Sequence, residues 1–232
     1  VMLSMPDRPQ DSLRGEHDRL CWLREALAKA GGADLSITTP RVLAFTEVDQ
    51  PAGRWSYLLT TGIPGDPLHH AFDETPIRCG RLMGKALRVL HDLDPSGSPQ
   101  WLGLDELLDM AAANVETGRL PSSIQPNAMS AKQMKKQLKW LRKKVPADVD
   151  AVVCHGDFCL PNVLAGLDDA VGLVDVGDAA VCDRHLDVAQ AIRSLRFNGG
   201  HDDVVRVFLN WYGPDRVDEQ KLEWFTKLLE LI

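Results

Sequence analysis

The stretch from Ala151 to Asp187 constrains this chain more than any other: AVVCHGDFCLPNVLAGLDDAVGLVDVGDAAVCDRHLD. An apolar run, Val152-Val153-Cys154, leads into His155-Gly156-Asp157, and a second, Val171-Gly172-Leu173-Val174, leads into Asp175-Val176-Gly177. Short runs rich in β-branched residues and ended by Gly and Asp read as strands. Two strands therefore each hand a carboxylate to a loop. A β-hairpin with an acidic turn has the same pattern. What argues for chemistry instead is the order Asp157, then Asn162 after four intervening residues, then Asp175-x-Gly177.

Phosphoryl transfer explains that order. In protein kinases a catalytic Asp precedes a metal-binding Asn by the same interval, and a later Asp-x-Gly carboxylate serves the same magnesium ions. The loose transition state asks the protein mainly for alignment and charge neutralisation. Asp157 is then the carboxylate that orients an acceptor hydroxyl and takes its proton. Asn162 and Asp175 offer the hard oxygen ligands that suit Mg²⁺.

His155-Gly-Asp-Phe-Cys-Leu-Pro-Asn162, Gly172-Leu-Val-Asp-Val-Gly177 and Asp183-Arg-His-Leu-Asp-Val-Ala189 together resemble the aminoglycoside phosphotransferase family. The likeness is nearest to the 3'-phosphotransferases within the wider choline-kinase-like group, and Leu90-His-Asp-Leu-Asp-Pro95 and Tyr57-Leu-Leu-Thr-Thr-Gly-Ile-Pro-Gly65 extend it upstream. It implies an α+β, bilobal protein-kinase-like fold. Residues 1–63 would form a partial β-rich nucleotide lobe with its hinge, and residues 64–232 a larger, mostly helical catalytic lobe, with the nucleotide in the cleft between them.

The same resemblance implies roles for further residues. Backbone groups of Thr61 and Ile63 would meet the adenine edge of ATP or GTP. Glu16 stands where the family carries the helix glutamate that pairs with a strand lysine on the phosphates, but that lysine falls close to Ser4, which supplies no cation. No preceding strand pair with a phosphate-covering loop is present either, so the chain reads as truncated at its start, altered at the lysine, or both. His155 would brace the loop and Asp187 would anchor it by hydrogen bonding.

On the acceptor side the pattern departs. Asp178 replaces an arginine, Phe197 and Asn198 replace an acidic pair, and Thr117–Ser123 lacks an acidic cluster. Asp178, Asp183, Glu223, Glu230 and the terminal carboxylate of Ile232 remain to meet ammonium groups. The function implied is transfer of the γ-phosphoryl group of ATP, with Mg²⁺, to a hydroxyl of an aminoglycoside, that is, antibiotic resistance. The alternatives are another alcohol (a macrolide, peptide antibiotic, choline or sugar) or a nucleotide-binding homologue with impaired catalysis.

Composition narrows the setting. With 232 residues, 44% of them hydrophobic, the chain can bury a full core. No apolar run approaches the roughly 20 residues needed to cross a bilayer, and no signal-like segment opens the chain, which predicts a cytoplasmic protein. Five widely spaced cysteines with no Cys-x-x-Cys read as reduced and structural. A net charge of −7 argues against general nucleic-acid binding and suits a cationic small substrate. A monomer or weak dimer is expected.

Along the chain, Val1 to Met5 reads as a strand stopped by Pro6. Asp11 to Ala30 reads as a helix closing at Gly31-Gly32, and Pro40 to Glu47 and Arg54 to Thr60 as a hairpin. Helices are expected from Pro76 to Asp94, Leu104 to Val115, Ser130 to Val145, Asp183 to Arg196, Asp202 to Trp211 and Asp218 to Leu231. The lysine-rich helix over 130–145 reads as a solvated face.

Overall fold

The computed structural model describes residues 2–4, 13–31, 37–51, 53–118 and 129–232. The stop of the first strand at Pro6, the opening of the first helix at Asp11, Gly32, and the loop from 119 to 123 lie outside the described residues. Within them the fold is α+β, with strands concentrated in the first part and around the Asp157 region.

Strand β1 (Met2–Ser4) pairs antiparallel with β4 (Gly53–Thr60), which pairs in turn with β3 (Val42–Gln50), so the sheet runs β1-β4-β3. The hairpin register matches Val48 with Trp55 and Gln50 with Gly53. Helix α1 (Leu13–Ala30) lies against this sheet on Leu13, Leu20 and Leu23, whose separations of seven and three residues keep one face inward. Each fully buried leucine contributes about 2 kcal/mol. Glu16 falls on that same buried stripe.

The stretch after α1 ties the front of the chain to the segment that carries Asn162 and Asp175. Strand β2 (Ile37–Thr38) runs parallel to β8 (Val171–Leu173), which pairs antiparallel with β7 (Val163–Ala165), and β7 with β5 (Asp66–Pro67). The two apolar runs of the opening motif do not pair with each other. Strand β6 (Ala151–Cys154) pairs with β9 (Ala180–Asp183), so the plain-hairpin reading is excluded. The segment expected to open a helix at Asp183 ends β9 instead, and α5 (His185–Phe197) starts two residues on. Ala-Val-Cys-Asp is too short to carry a period, and only its pairing with β6 makes it a strand.

Helix α2 (Pro76–His91) begins with proline, whose missing N–H costs nothing in a first turn. It packs against α6 (Asp202–Tyr212) through glycine. A Cβ on Gly84 would strike the backbone of Phe208, and one on Gly80 would approach the Val204 carbonyl to 2.9 Å. Helix α2 ends at His91, one turn before the expected stop. A second cluster joins α3 (Leu104–Thr117), α4 (Ala131–Lys143) and α7 (Glu219–Leu228) through Leu107, Ala111, Leu141, Trp224 and Phe225. On α4 the lysines at 132, 135, 136 and 139 point to solvent, as a solvated face requires. No helix among the described residues is long and apolar enough to cross a membrane.

Candidate active site

Asp157 sits on the loop between β6 and β7, half-buried. Both of its carboxylate oxygens are held: Asn162 Nδ2 donates to Oδ2 at 3.0 Å, and Gln190 Nε2, from α5, donates to Oδ1 at 3.3 Å. Asn162 Nδ2 also donates to the Asp157 carbonyl at 3.0 Å, which closes the loop on itself. With its nitrogen spent there, the Asn162 side chain keeps Oδ1 for another partner.

Asp175 reaches the same place through the β7–β8 hairpin. Val163 pairs with Leu173, and the Val174 amide donates to the Asn162 carbonyl at 3.1 Å, so Asn162 and Asp175 emerge side by side. Asp175 has φ 57°, a left-handed conformation that costs a non-glycine residue on the order of 1 kcal/mol. Its carboxylate is exposed and takes no partner among the described residues. An amide oxygen beside an unpaired carboxylate is a donor set that fits Mg²⁺.

A buried frame supports this loop. Asp187, fully buried on α5, accepts the His155 amide at 2.6 Å and the Gly156 amide at 3.0 Å. Its Oδ2 also meets His91 Nε2 at 3.3 Å, and His91 Nδ1 meets the Tyr212 hydroxyl at 2.9 Å. Burial, offset only in part by the bond to Asp187, pushes the His91 imidazole below its ordinary value. His155 contacts the Val174 carbonyl through Nε2 at 3.0 Å and accepts the Asp157 amide at Nδ1, so its partners place a proton on Nε2.

Gly156 has φ 86°, and a side chain there would collide with the Asp178 carbonyl. His91, Cys154 and Asp187 lie within 4.8 Å of one another, but burial holds the Cys154 thiol well above its usual range, and it donates to backbone carbonyls. That trio is hydrogen-bonded core.

Above the loop, α1 leans onto the Asp175–Asp178 turn. Glu16 is buried, and a Cβ on Gly177 would come within 4.0 Å of its Oε2. Burial and then the charge of Asp175 push its carboxyl up, against the pull of Arg19. Asp178 keeps an exposed face but is crowded from the protein side. Burial raises its carboxyl, Arg19 opposes this, and Asp157 and Asp175 add to the rise. Cys159, half-buried beside Asp157, is pushed up to about 12 by burial and then by that carboxylate.

The Thr61 amide donates to the Arg41 carbonyl at 2.9 Å, and its Oγ1 accepts the Arg41 amide at 3.0 Å. The Thr61 carbonyl and the Ile63 amide are left without a partner among the described residues. The Ile63 side chain packs over Gly172 of β8.

Of the acceptor-side residues, Asp178 lies beside the Asp157 loop, and the others are engaged elsewhere in the fold. Asn198 turns its amide back onto the Ser194 carbonyl at 2.8 Å and serves as the C-cap of α5. Glu230 accepts Gln137 Nε2 at 2.5 Å, and Ile232 packs against the second core cluster. Arg193 and Asn114 hold the carbonyls of Leu229 and Leu231. Asp183 is fully buried and bonded within the core, so its expected availability to a substrate is corrected. Glu223 faces solvent on α7 and pairs with Lys227 at 3.7 Å.

Sequence reasoning missed Gln190, although its place one turn after Asp187 on the same helix face was readable. It also missed His91, whose role needs the contact between α2 and α5.

Comparison with known proteins agrees with the architecture. A model of the phosphotransferase enzyme family matches residues 1–225. An aminoglycoside 3'-phosphotransferase from Niallia circulans is 31% identical over 221 residues, 94% of this chain and 78% of that protein. The crystal structure of an aminoglycoside-3'-phosphotransferase of type VIII superposes with a TM-score of 0.74 at 30% identity, covering 95% of this chain and 80% of that one. An aminoglycoside phosphotransferase from Streptomyces rimosus, in complex with ADP and streptomycin, superposes with a TM-score of 0.70 at 25% identity, covering 94% and 81%.

Proposed function

The chain belongs to the phosphotransferase enzyme family, and from that premise we propose that it transfers the γ-phosphoryl group of ATP to a hydroxyl of an aminoglycoside. The observation that carries this reading is that Asn162 joins the Asp157 loop to the turn of Asp175, its side chain bonded to Asp157 and its carbonyl to the Val174 amide, with the Asp157 carboxylate held from both sides. A carboxylate locked in one rotamer suits a reaction that depends on alignment. In this reading Asp157 orients the acceptor hydroxyl and receives its proton as the new P–O bond forms. Asn162 Oδ1 and Asp175 hold Mg²⁺, which when bound offsets the charge of the phosphates. His155 and Asp187 keep the loop in place.

Residues 1–63 form the nucleotide lobe and 64–232 the catalytic lobe in this proposal. The Thr61 carbonyl and the Ile63 amide receive the adenine edge. Glu16 closes the nucleotide side. Acceptor ammonium groups approach Asp178, which stands next to the Asp157 loop, while Asn198 at the end of α5 and Glu230 and Ile232 beyond α7 border the acceptor side. One observation favours a less cationic acceptor as the second reading: Phe197 is 63% exposed beside Asn198, whose amide is already engaged.

The test is ATP consumption, with mass spectrometry of the product, over a panel of aminoglycosides, macrolides and choline, for wild type and Asp157→Ala. Phosphorylated aminoglycoside with wild type alone supports the reading. Phosphorylation of only a macrolide or choline, each with fewer positive charges than an aminoglycoside, moves the assignment to the second reading, and turnover equal in both proteins overturns the role of Asp157.

A further inference from the structure

Arg19 is absorbed by no role described so far. It lies on α1 three residues after Glu16, on the same face, and its Nη1 donates to the Gly177 carbonyl at 2.6 Å. Its guanidinium lies back across Gly15, where a Cβ would sit 2.8 Å from Nη1. A glycine inside a helix costs about 1 kcal/mol relative to alanine, and here its bare Cα is what lets the guanidinium reach the Asp175–Gly177 turn. Arg19 Nε is buried without a partner, and no ion pair occupies the guanidinium among the described residues. A guanidinium has five N–H donors in a flat fork, so most of its capacity is unspent.

Its surroundings say what that capacity faces. Glu16, Asp175 and Asp178 are carboxylates, and none is ion-paired within the described residues; Arg19 is the arginine or lysine whose charge acts on both Glu16 and Asp178. A triphosphate brought onto this turn adds further negative charge. Without a fixed cation it would meet net repulsion from the protein. A guanidinium matches phosphate oxygens in charge and geometry.

We propose that Arg19 is a phosphate-binding residue: from its bed on Gly15, its guanidinium contacts the polyphosphate of bound nucleotide above the Asp175–Gly177 turn. The proposal rests on the nucleotide reading above and adds a cation to it from a helix position.

Calorimetric titration of the chain with ATP, ADP, AMP and adenosine, with Mg²⁺ present, tests it. Arg19→Ala should weaken ATP by about tenfold or more, the loss of one charge-assisted contact, weaken ADP and AMP progressively less, and leave adenosine unchanged. Arg19→Lys should recover part of the ATP affinity. Gly15→Ala is the control for folding. It improves helix propensity, so its melting temperature should hold or rise, yet by displacing the guanidinium it should weaken ATP more than adenosine. Equal losses for all four ligands, or no loss in Arg19→Ala while wild type binds ATP, would overturn the role of Arg19 and leave the nucleotide reading standing. Failure of wild type to bind ATP would overturn both.

Discussion

Asp183 and Asp187 flank the start of α5, both fully buried and each in contact with a histidine, yet they hold different parts of the molecule. Asp183 joins rigid elements. It accepts His185 Nδ1 at 2.6 Å and the His185 and Asp150 amides at 3.0 Å, and Lys221 Nζ on α7 stands 3.4 Å away. Asp187 instead accepts two amides of the loop that presents Asp157. The same residue type, one turn apart, acts as a structural joint in one region and as a loop anchor in the other. A buried anion between rigid elements expresses its energy as stability, whereas one under a loop expresses part of it as the position of a reacting group.

Three substitutions sharpen or break that comparison. The largest effect on stability belongs to Asp183→Ala. It leaves His185 Nδ1 and the His185 and Asp150 amides without their acceptor and takes from Lys221 one of its two carboxylate partners, Asp148 remaining at 3.1 Å, so it should cost about 3–5 kcal/mol, read as a lower denaturant midpoint with an unchanged slope. The turnover of the protein that remains folded should stay near wild type. A parallel fall in kcat would erase the distinction between the two regions.

Asp187→Asn comes next. It turns one acceptor into a donor facing the amides of His155 and Gly156, so a stability loss of about 1–3 kcal/mol is expected. A fall in kcat of about a hundredfold should accompany it, because small displacements of a reacting group are costly. Steady-state kinetics beside an unfolding curve decide the point: stability lost with kcat intact would make Asp187 a second structural joint.

The smallest effect is on pH dependence, and it differs between the two regions. Burial keeps the folded His91 pKa below its ordinary 6.5. As pH falls through that value, the unfolded chain takes a proton that the folded chain refuses. Stability should therefore decline by up to about 1.4 kcal/mol per pH unit until the lowered folded value is reached. Burial pushes Asp183 up, but the bonds from His185 and the Asp150 amide outweigh it and the net shift is downward from 3.8. Its contribution is present above that value and is lost only as pH falls through the still lower folded value. His91→Gln should flatten the upper window and leave the lower one alone. Melting curves between about pH 3 and pH 8 separate them, and an unchanged upper slope would remove His91 from the account.

Much of the fold and part of the site were legible in the residues. The family membership expected from the His155–Asn162 and Asp175–Gly177 motifs is shown, as is the α+β kinase-like fold. Asn162 reaches Asp157 across five residues, within the range that a loop's own geometry sets. Helix α1 was readable because its leucines repeat at helical spacing. What was not legible depends on contacts between distant segments. Asn198 could face an acceptor by type, but the end of α5 turns its amide onto Ser194. Glu230 meets Gln137 across 93 residues, and no local pattern contains that pairing. Arg19 is visible as a charged helix residue, but its reach to Gly177 depends on the bare Cα of Gly15 and on α1 docking over the Asp175 turn.

By itself the sequence determined the kind of chemistry and the order of its parts, because an aspartate, an asparagine and an Asp-x-Gly turn at short separations carry their donor atoms and spacing with them. Only the tertiary structure decided that β6 pairs with β9 while β7 and β8 carry Asn162 and Asp175 to one place. It alone divided the work of the two buried aspartates, and it alone set an arginine of α1 over the Asp175–Gly177 turn. Strand pairing and helix docking are chosen by how the whole core closes, and that choice sums over contacts that no short window of residues contains.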